Sequence, residues 1–359
     1  MKIGILTHYQ VESHGALLQL YALTEYLRQT GHHVYTLTYP KSLDFADQKG
    51  RKKFSVGLGS IPFYLKEYLF KQGPSYIWTM ARKHFSLRSF NKKHFTFLPY
   101  AQCGVDAAIV GSDEVWSIQL GANMMMYGHG VDAQRMISYA PSFGQTSIVD
   151  LAAHRCRPLV SAGLNSFDYL SVRDLGSQNI VQGLTGKTAQ LVCDPVLLYG
   201  YEKELAAYRP MTTKKYVVVY AYTSNMNEPE QIQEIRNYAR SIGAKIYSVG
   251  AYHKWCDKQI VCDPIEMLYW FKGAEAVFTD TFHGTISAYL AHTPMAVYVR
   301  STNNVKLDHL LQVLGLESRK VTEDRTIADI MTQSIDFASL HQAFLPFREQ
   351  SAAWLNQTL

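Results

Sequence analysis

The stretch AEAVFTDTFHGTISAYLAH, Ala274 to His292, decides how this chain is read. A short apolar run, Ala276–Phe278, passes through Thr279-Asp280-Thr281-Phe282-His283-Gly284-Thr285 into a helical pattern, Gly284–Ala291. Strand, loop and helix in that order put the loop at the carboxyl edge of a parallel sheet, where open α/β folds bind ligands. A helix start leaves backbone N–H groups unpaired, here expected from Gly284, Thr285 and Ile286, and such a start favours an anion. His283 adds a side chain that gives or takes a proton near neutral pH.

The same alternation runs outward from this loop. Upstream lie strand Tyr216–Tyr222, helix Glu230–Ile242, strand Lys245–Val249 and helix Pro264–Lys272; downstream lie strand Met295–Tyr298 and helix Lys306–Leu314. The N-terminal part repeats the pattern with strand Lys2–His8, helix Gly15–Gln29 stopped by Gly31, and strand His33–Tyr39. Short apolar strands follow at Ala107–Val110, Met136–Ala140, Tyr169–Val172 and Gln190–Val192. The polar stretch Tyr208–Lys215 reads as a linker. The expected organisation is α/β, two Rossmann-like domains facing across a cleft: 1–207 with a basic aromatic helical insertion at 41–97, then 208–336. Phe337–Leu355 reads as a long helix, so that 337–359 is expected to cross back onto the first domain.

A chain of 359 residues suits two domains, each with its own core. No apolar run approaches the roughly 20 residues that span a bilayer, and the N-terminus turns polar too early for a secretory leader, so a cytoplasmic protein is expected. Five cysteines (Cys103, Cys156, Cys193, Cys256 and Cys262), without CxxC or zinc spacing, read as buried thiols in a reducing compartment. The net charge of +5 is uneven: Lys41–Lys93 holds 12 Lys and Arg against 3 acids. Its aromatics include Phe54, Phe63, Tyr64, Tyr68, Trp78, Phe85 and Phe90. The plainer reading is an insertion packed on its own domain with a solvated basic face. The alternative is peripheral contact with an anionic membrane surface. No nucleic-acid module accompanies the charge.

Common catalytic motifs fail. Gly57-Leu58-Gly59-Ser60-Ile61-Pro62 starts like a dinucleotide fingerprint but has Pro62 for its third glycine. Gly183-Leu184-Thr185-Gly186-Lys187-Thr188 ends like a phosphate-binding loop, with Val181 where the first glycine belongs. HExxH, DxD and GxSxG are absent. What remains is a set of loops at strand ends: Gly111-Ser112-Asp113-Glu114-Val115-Trp116, Ser138-Tyr139-Ala140-Pro141-Ser142-Phe143-Gly144, Ser171-Val172-Arg173-Asp174 and Thr279–Thr285.

The order and spacing of these loops resemble the polysaccharide pyruvyl transferase family. Ser13-His14-Gly15-Ala16-Leu17-Leu18-Gln19, Asp194-Pro195-Val196-Leu197-Leu198 and Asn304-Val305-Lys306 extend the likeness, from about Lys2 to Leu316. The resemblance implies an architecture similar to GT-B type glycosyltransferases, with the acceptor held by the N-terminal domain and the donor by the C-terminal one. It also implies transfer of a pyruvyl group from phosphoenolpyruvate to two hydroxyls of a sugar. The product is a cyclic ketal and phosphate is released; the sugar belongs to a cell-surface polysaccharide or its lipid-linked precursor. No metal and no resident cofactor are expected, phosphoenolpyruvate being a co-substrate. The alternatives are a glycosyltransferase using a sugar nucleotide and a non-catalytic sugar- or membrane-binding relative.

On that chemistry Arg173 is the expected guanidinium for a donor anion, with an ion pair to Asp174 or another local acid as its plain structural role. His283 is expected to bind phosphate or donate a proton, with Gly284, Thr285 and Lys306 completing the donor site. Lys306 stands where many relatives have arginine, and Thr281 where some carry one. Asp113 is the candidate base on an acceptor hydroxyl, or else a helix cap for the segment from Glu114. Gly15, Ser112 and Ser142 join it as expected acceptor contacts, and Asp280 is expected to orient His283 or to cap its helix.

Overall fold

The computed structural model describes residues 1–40, 73–119 and 122–359. Most of the basic insertion, with the Gly57–Pro62 motif, lies outside the described residues.

Alternating apolar strands and helices give two parallel sheets. The first holds β1 (Lys2–Leu6), β2 (His33–Thr38), β3 (Phe97–Pro99), β4 (Ala107–Val110) and β5 (Met136–Ser138), in the order β3-β2-β1-β4-β5. A small pair, β6 (Ser171–Val172) with β7 (Gln190–Leu191), lies beside β5. The second sheet contains β8 (Tyr216–Tyr220), β9 (Lys245–Val249), β10 (Lys258–Ile260), β11 (Val277–Thr279), β12 (Met295–Tyr298) and β13 (Lys320–Val321), ordered β10-β9-β8-β11-β12-β13. Among the described residues every pairing between these named strands is parallel. The central strands β4, β11 and β12 are buried along their whole length, which is why they read as unbroken apolar runs.

Each sheet winds outward in two directions from its middle, so each has a reversal point: β1 beside β4 in the first, β8 beside β11 in the second. Loops leaving the carboxyl ends of such neighbouring strands part in opposite directions and leave a crevice. The chain places the Ser13-His14-Gly15 and Gly111–Trp116 loops at one reversal point. The Thr279–Thr285 loop stands at the other.

Several boundaries differ from the sequence reading. The helix after β11 runs Phe282–Leu290, starting two residues before Gly284, because Thr281 caps it and accepts from the Gly284 N–H at 3.0 Å. The edge strands β3, β10 and β13, of two or three residues each, carry too little pattern to be read from sequence. The insertion's described part forms helix Pro74–His94, which buries Lys83, Leu87 and Phe90. The C-terminal helix, Phe337–Thr358, reaches the first sheet's side: Arg135 donates to Leu359 O at 2.6 Å, and Cys193 N to Ser351 Oγ at 2.9 Å. All five cysteines are buried and unpaired. Among the described residues no helix is long and apolar enough to cross a membrane.

Candidate active site

A cavity of about 580 Å³ lies between the two sheets and is lined by loops from both reversal points. A hollow of about 660 Å³ elsewhere, beside β6, β7 and the C-terminal helix, has Asp168 and Lys187 as its charged lining and none of the expected site residues.

Arg173 follows β6 and enters the cavity wall from below. Its side chain is 2 % exposed and its Nη1 donates to Asp194 Oδ2 at 2.9 Å. Ser112 Oγ donates to the same oxygen at 2.7 Å, while Asp194 Oδ1 accepts from Val196 N at 3.0 Å and caps helix Pro195–Tyr199. Asp194 is thus a buried seat built from chain segments 82 and 21 residues away. The other arm, Nη2, meets Asp113 Oδ1 at a longer 3.3 Å. The guanidinium stacks over the Phe282 ring at 4.3 Å. Burial opposes its charge, but Asp113 and Asp194 outweigh burial and hold its pKa above the ordinary value. Of the acids expected to pair with Arg173, Asp174 instead caps helix Leu175–Thr185 through Ser177 N at 2.7 Å, and Asp194 and Asp113 take the pairing.

His283 leans over the same seat. Its Nε2 lies 3.8 Å from Asp194 Oδ2, too far for a hydrogen bond, and this buried nitrogen has no hydrogen-bond partner among the described residues. The ring rests against Gly15 at the start of helix His14–Gln29; a Cβ there would come within 2.6 Å of three His283 atoms. Gly15 therefore seats the catalytic candidate. Burial pulls the His283 pKa below its ordinary value, helped by Arg173 and Lys306 and opposed by Asp194 and Asp113, so the free ring is neutral at pH 7. Asp113 adopts a left-handed φ of 74° and its carboxylate is 22 % exposed to the cavity. Burial would raise its pKa, but Arg173, His283, His8 and Lys306 together hold it well below the usual carboxylate range.

Arg173, His283, Asp113, Lys306 and Gly15 therefore share one cavity, and four other expected site residues do not line it. Gly284 N–H is spent on Thr281 Oγ1, and Thr285 N–H bonds Thr281 O at 3.1 Å. Among the described residues the donors left without a partner are instead the N–H groups of Phe282 and His283, in the helix's first turn. Gly284 is required by closeness, since a Cβ would strike Thr279, Thr281 and Tyr220. Ser112 and Ser142 are buried behind the wall, Ser112 on Asp194 and Ser142 accepting from Gly144 N at 3.0 Å. Asp113 caps no helix, because the chain after it turns without one. Asp280 neither orients His283 nor caps its helix; it is held by Asn225 at 2.8 Å and Arg300 at 2.7 Å. Lys306 reaches across the cavity to an ion pair with Glu114. The sequence reading missed Asp194 as a site residue, and also the cavity-lining Arg300 and Lys83. Among the described residues no cluster of three or more His, Cys, Asp or Glu side chains is arranged to hold a metal ion.

A sequence description of polysaccharide pyruvyl transferases matches residues 14–302, four-fifths of the chain, which takes in Arg173, Asp113 and the Thr279–Thr285 loop but not Lys306. The chain belongs to the polysaccharide pyruvyl transferase family. No curated protein matches it. Among solved structures it is similar to UDP-GlcNAc 2-epimerase from Methanocaldococcus jannaschii, at 12 % identity and a TM-score of 0.47, covering 96 % of this chain and 91 % of that one. The spinosyn rhamnosyltransferase is similar at 11 % identity and a TM-score of 0.45, covering 99 % of both chains. Family membership supports a transferase that modifies a polysaccharide.

Proposed function

We propose that this member of the family moves the pyruvyl group of phosphoenolpyruvate onto two hydroxyls of a sugar. One observation carries the reading: a buried guanidinium and an unpartnered imidazole share the Asp194 seat at paired sheet reversal points. The loosely held Nη2 of Arg173, Lys306 and the free N–H groups of Phe282 and His283 grip the donor's anions. That negative charge counters the depression of the His283 pKa and stabilises the imidazolium. The ring then passes a proton to the methylene carbon, C2 turns electrophilic, and a sugar hydroxyl adds to it while Asp113 takes the hydroxyl proton. The C2–O bond to phosphate breaks, a second hydroxyl adds to C2, and its proton leaves with the phosphate.

The test is phosphate release from phosphoenolpyruvate in a panel of sugar acceptors, with mass spectrometry of the products. The pyruvyl ketal mass is expected together with stoichiometric phosphate. Thermal stabilisation by a nucleotide sugar without phosphate release would favour glycosyl transfer instead, for which Tyr222, 61 % exposed on the cavity wall, offers a ring to a base.

The acceptor's carrier bears on where the protein works. Helix Pro74–His94 shows Trp78, 67 % exposed, and Phe85, 69 % exposed, among exposed Arg82, Arg88 and Lys92, with no acid in its sequence. This helix is proposed to rest on an anionic bilayer. Sedimentation with phosphatidylglycerol vesicles should show binding that falls about tenfold in a Trp78→Ala, Phe85→Ala variant. Equal binding by both proteins would remove this face from membrane contact.

A further inference from the structure

The cavity has a second pole that the proposed chemistry does not use. Helix His14–Gln29 begins there, and His14, its first residue, has a backbone N–H without a partner among the described residues; that of Gly15 faces the Tyr220 hydroxyl. Sixteen residues of aligned peptide dipoles concentrate positive potential at this end. Lys83 lines the same end from the inner face of helix Pro74–His94 and is 9 % exposed. Its ammonium has no hydrogen bond or ion pair among the described residues. The other cations of the wall are engaged: Arg173 with Asp194, Arg300 with Asp280, Lys306 with Glu114. Glu12, the acid that acts most on Lys83, is held by His84 at 3.0 Å towards solvent. Burial pushes the Lys83 pKa down to about 8, the cost of an ammonium that lacks both water and a counter-ion.

The ionised group that acts on Lys83 is Glu12, whereas Asp194, Asp113, Arg173 and Lys306 act on His283. His14 itself is fixed, its Nε2 3 Å-close to Cys262 O (2.9 Å), so its backbone end is held still beside Lys83.

We infer that this pole is a phosphoryl subsite, in which Lys83 and the start of helix His14–Gln29 hold a phosphate or diphosphate ester of the acceptor. A lysine suits such a group as a point charge, and a helix start supplies N–H donors to the same oxygens. The naming of the acceptor rests on the proposed pyruvyl transfer; the anion site rests on Lys83 and the helix alone. The ester is either that of a sugar nucleotide or that of a lipid carrier, and both present the same diphosphate.

Calorimetric titration of inorganic pyrophosphate into the full chain tests the site, with and without saturating phosphoenolpyruvate. Pyrophosphate should bind in both cases and weaken at least about tenfold in Lys83→Met, while Lys83→Arg retains binding and phosphoenolpyruvate affinity stays unchanged. Uridine diphosphate and geranyl diphosphate, titrated the same way, separate the two sources by which binds more tightly. Equal pyrophosphate affinity in Lys83→Met, no binding to the unaltered protein, or displacement of pyrophosphate by phosphoenolpyruvate would each overturn the subsite. Should Lys83→Met misfold, displacement in the unaltered protein still decides. If pyrophosphate binding depends on Lys83 while phosphoenolpyruvate binds neither protein, the subsite stands and the proposed donor falls.

Discussion

Arg173→Lys is expected to lower kcat/KM for phosphoenolpyruvate by two to three orders of magnitude, about 3–4 kcal/mol of lost anion stabilisation. Lysine keeps the charge but lacks the fork that lets one arm sit on Asp194 at 2.9 Å while the other faces Asp113 and the cavity. The loss should fall on the donor, leaving acceptor binding intact. Asp194→Ala separates seat from hook. It strips the buried guanidinium of its closest carboxylate and leaves Ser112 Oγ without its acceptor, so about 3–5 kcal/mol of folding stability should go as well. Denaturant unfolding together with steady-state kinetics checks both variants. An Arg173→Lys protein with near-normal kcat/KM would take Arg173 out of donor binding.

His283→Ala should cut kcat by at least about a hundredfold with little change in Tm. The small stability cost follows from the unpartnered Nε2: removing the ring breaks no hydrogen bond of that nitrogen. The pH profile carries the sign. Because burial lowers the His283 pKa, the proton needed at the donor's methylene carbon is scarce in the free protein. After allowance for the donor's own ionisation, kcat/KM should decline with rising pH through an apparent pKa below about 6.5. The alkaline limb of kcat should lie higher, since the bound donor's charge opposes the depression. Both limbs should vanish in His283→Ala. A profile that is unchanged in the variant would assign the proton to another group.

Much of this was legible in the residues because the chemistry sits at strand ends that alternate cleanly with helices. Ala276–Phe278 followed by a polar loop gave β11 and its helix, and the βαβ start gave β1, helix His14–Gln29 and β2. The donors around His283 were misread for a local reason: Thr281, three residues ahead of the expected start, is the cap and consumes the Gly284 N–H. Asp194 was read only as part of the Asp194–Leu198 motif, because its meaning arises when Ser112 and Arg173 converge on it from distant segments. Lys83 was counted with a solvated basic face; the helix's rotation, fixed by Leu87 and Phe90 packing inward, turns it into the cavity instead. Ser142 does not line the cavity because the loops after β4 and β5 are tied together, Ser142 N donating to Asp113 O at 2.8 Å, which draws its hydroxyl behind the wall.

The central claim is that the floor formed by Arg173 and His283 receives a small dianionic donor. A crystal structure of the protein soaked with phosphoenolpyruvate measures this directly. The account predicts the donor within hydrogen-bond distance of Arg173 Nη2 and the His283 ring, between the ends of β4 and β11. Donor density confined to the surface, or a cavity floor that stays unaltered at saturating donor, would contradict it.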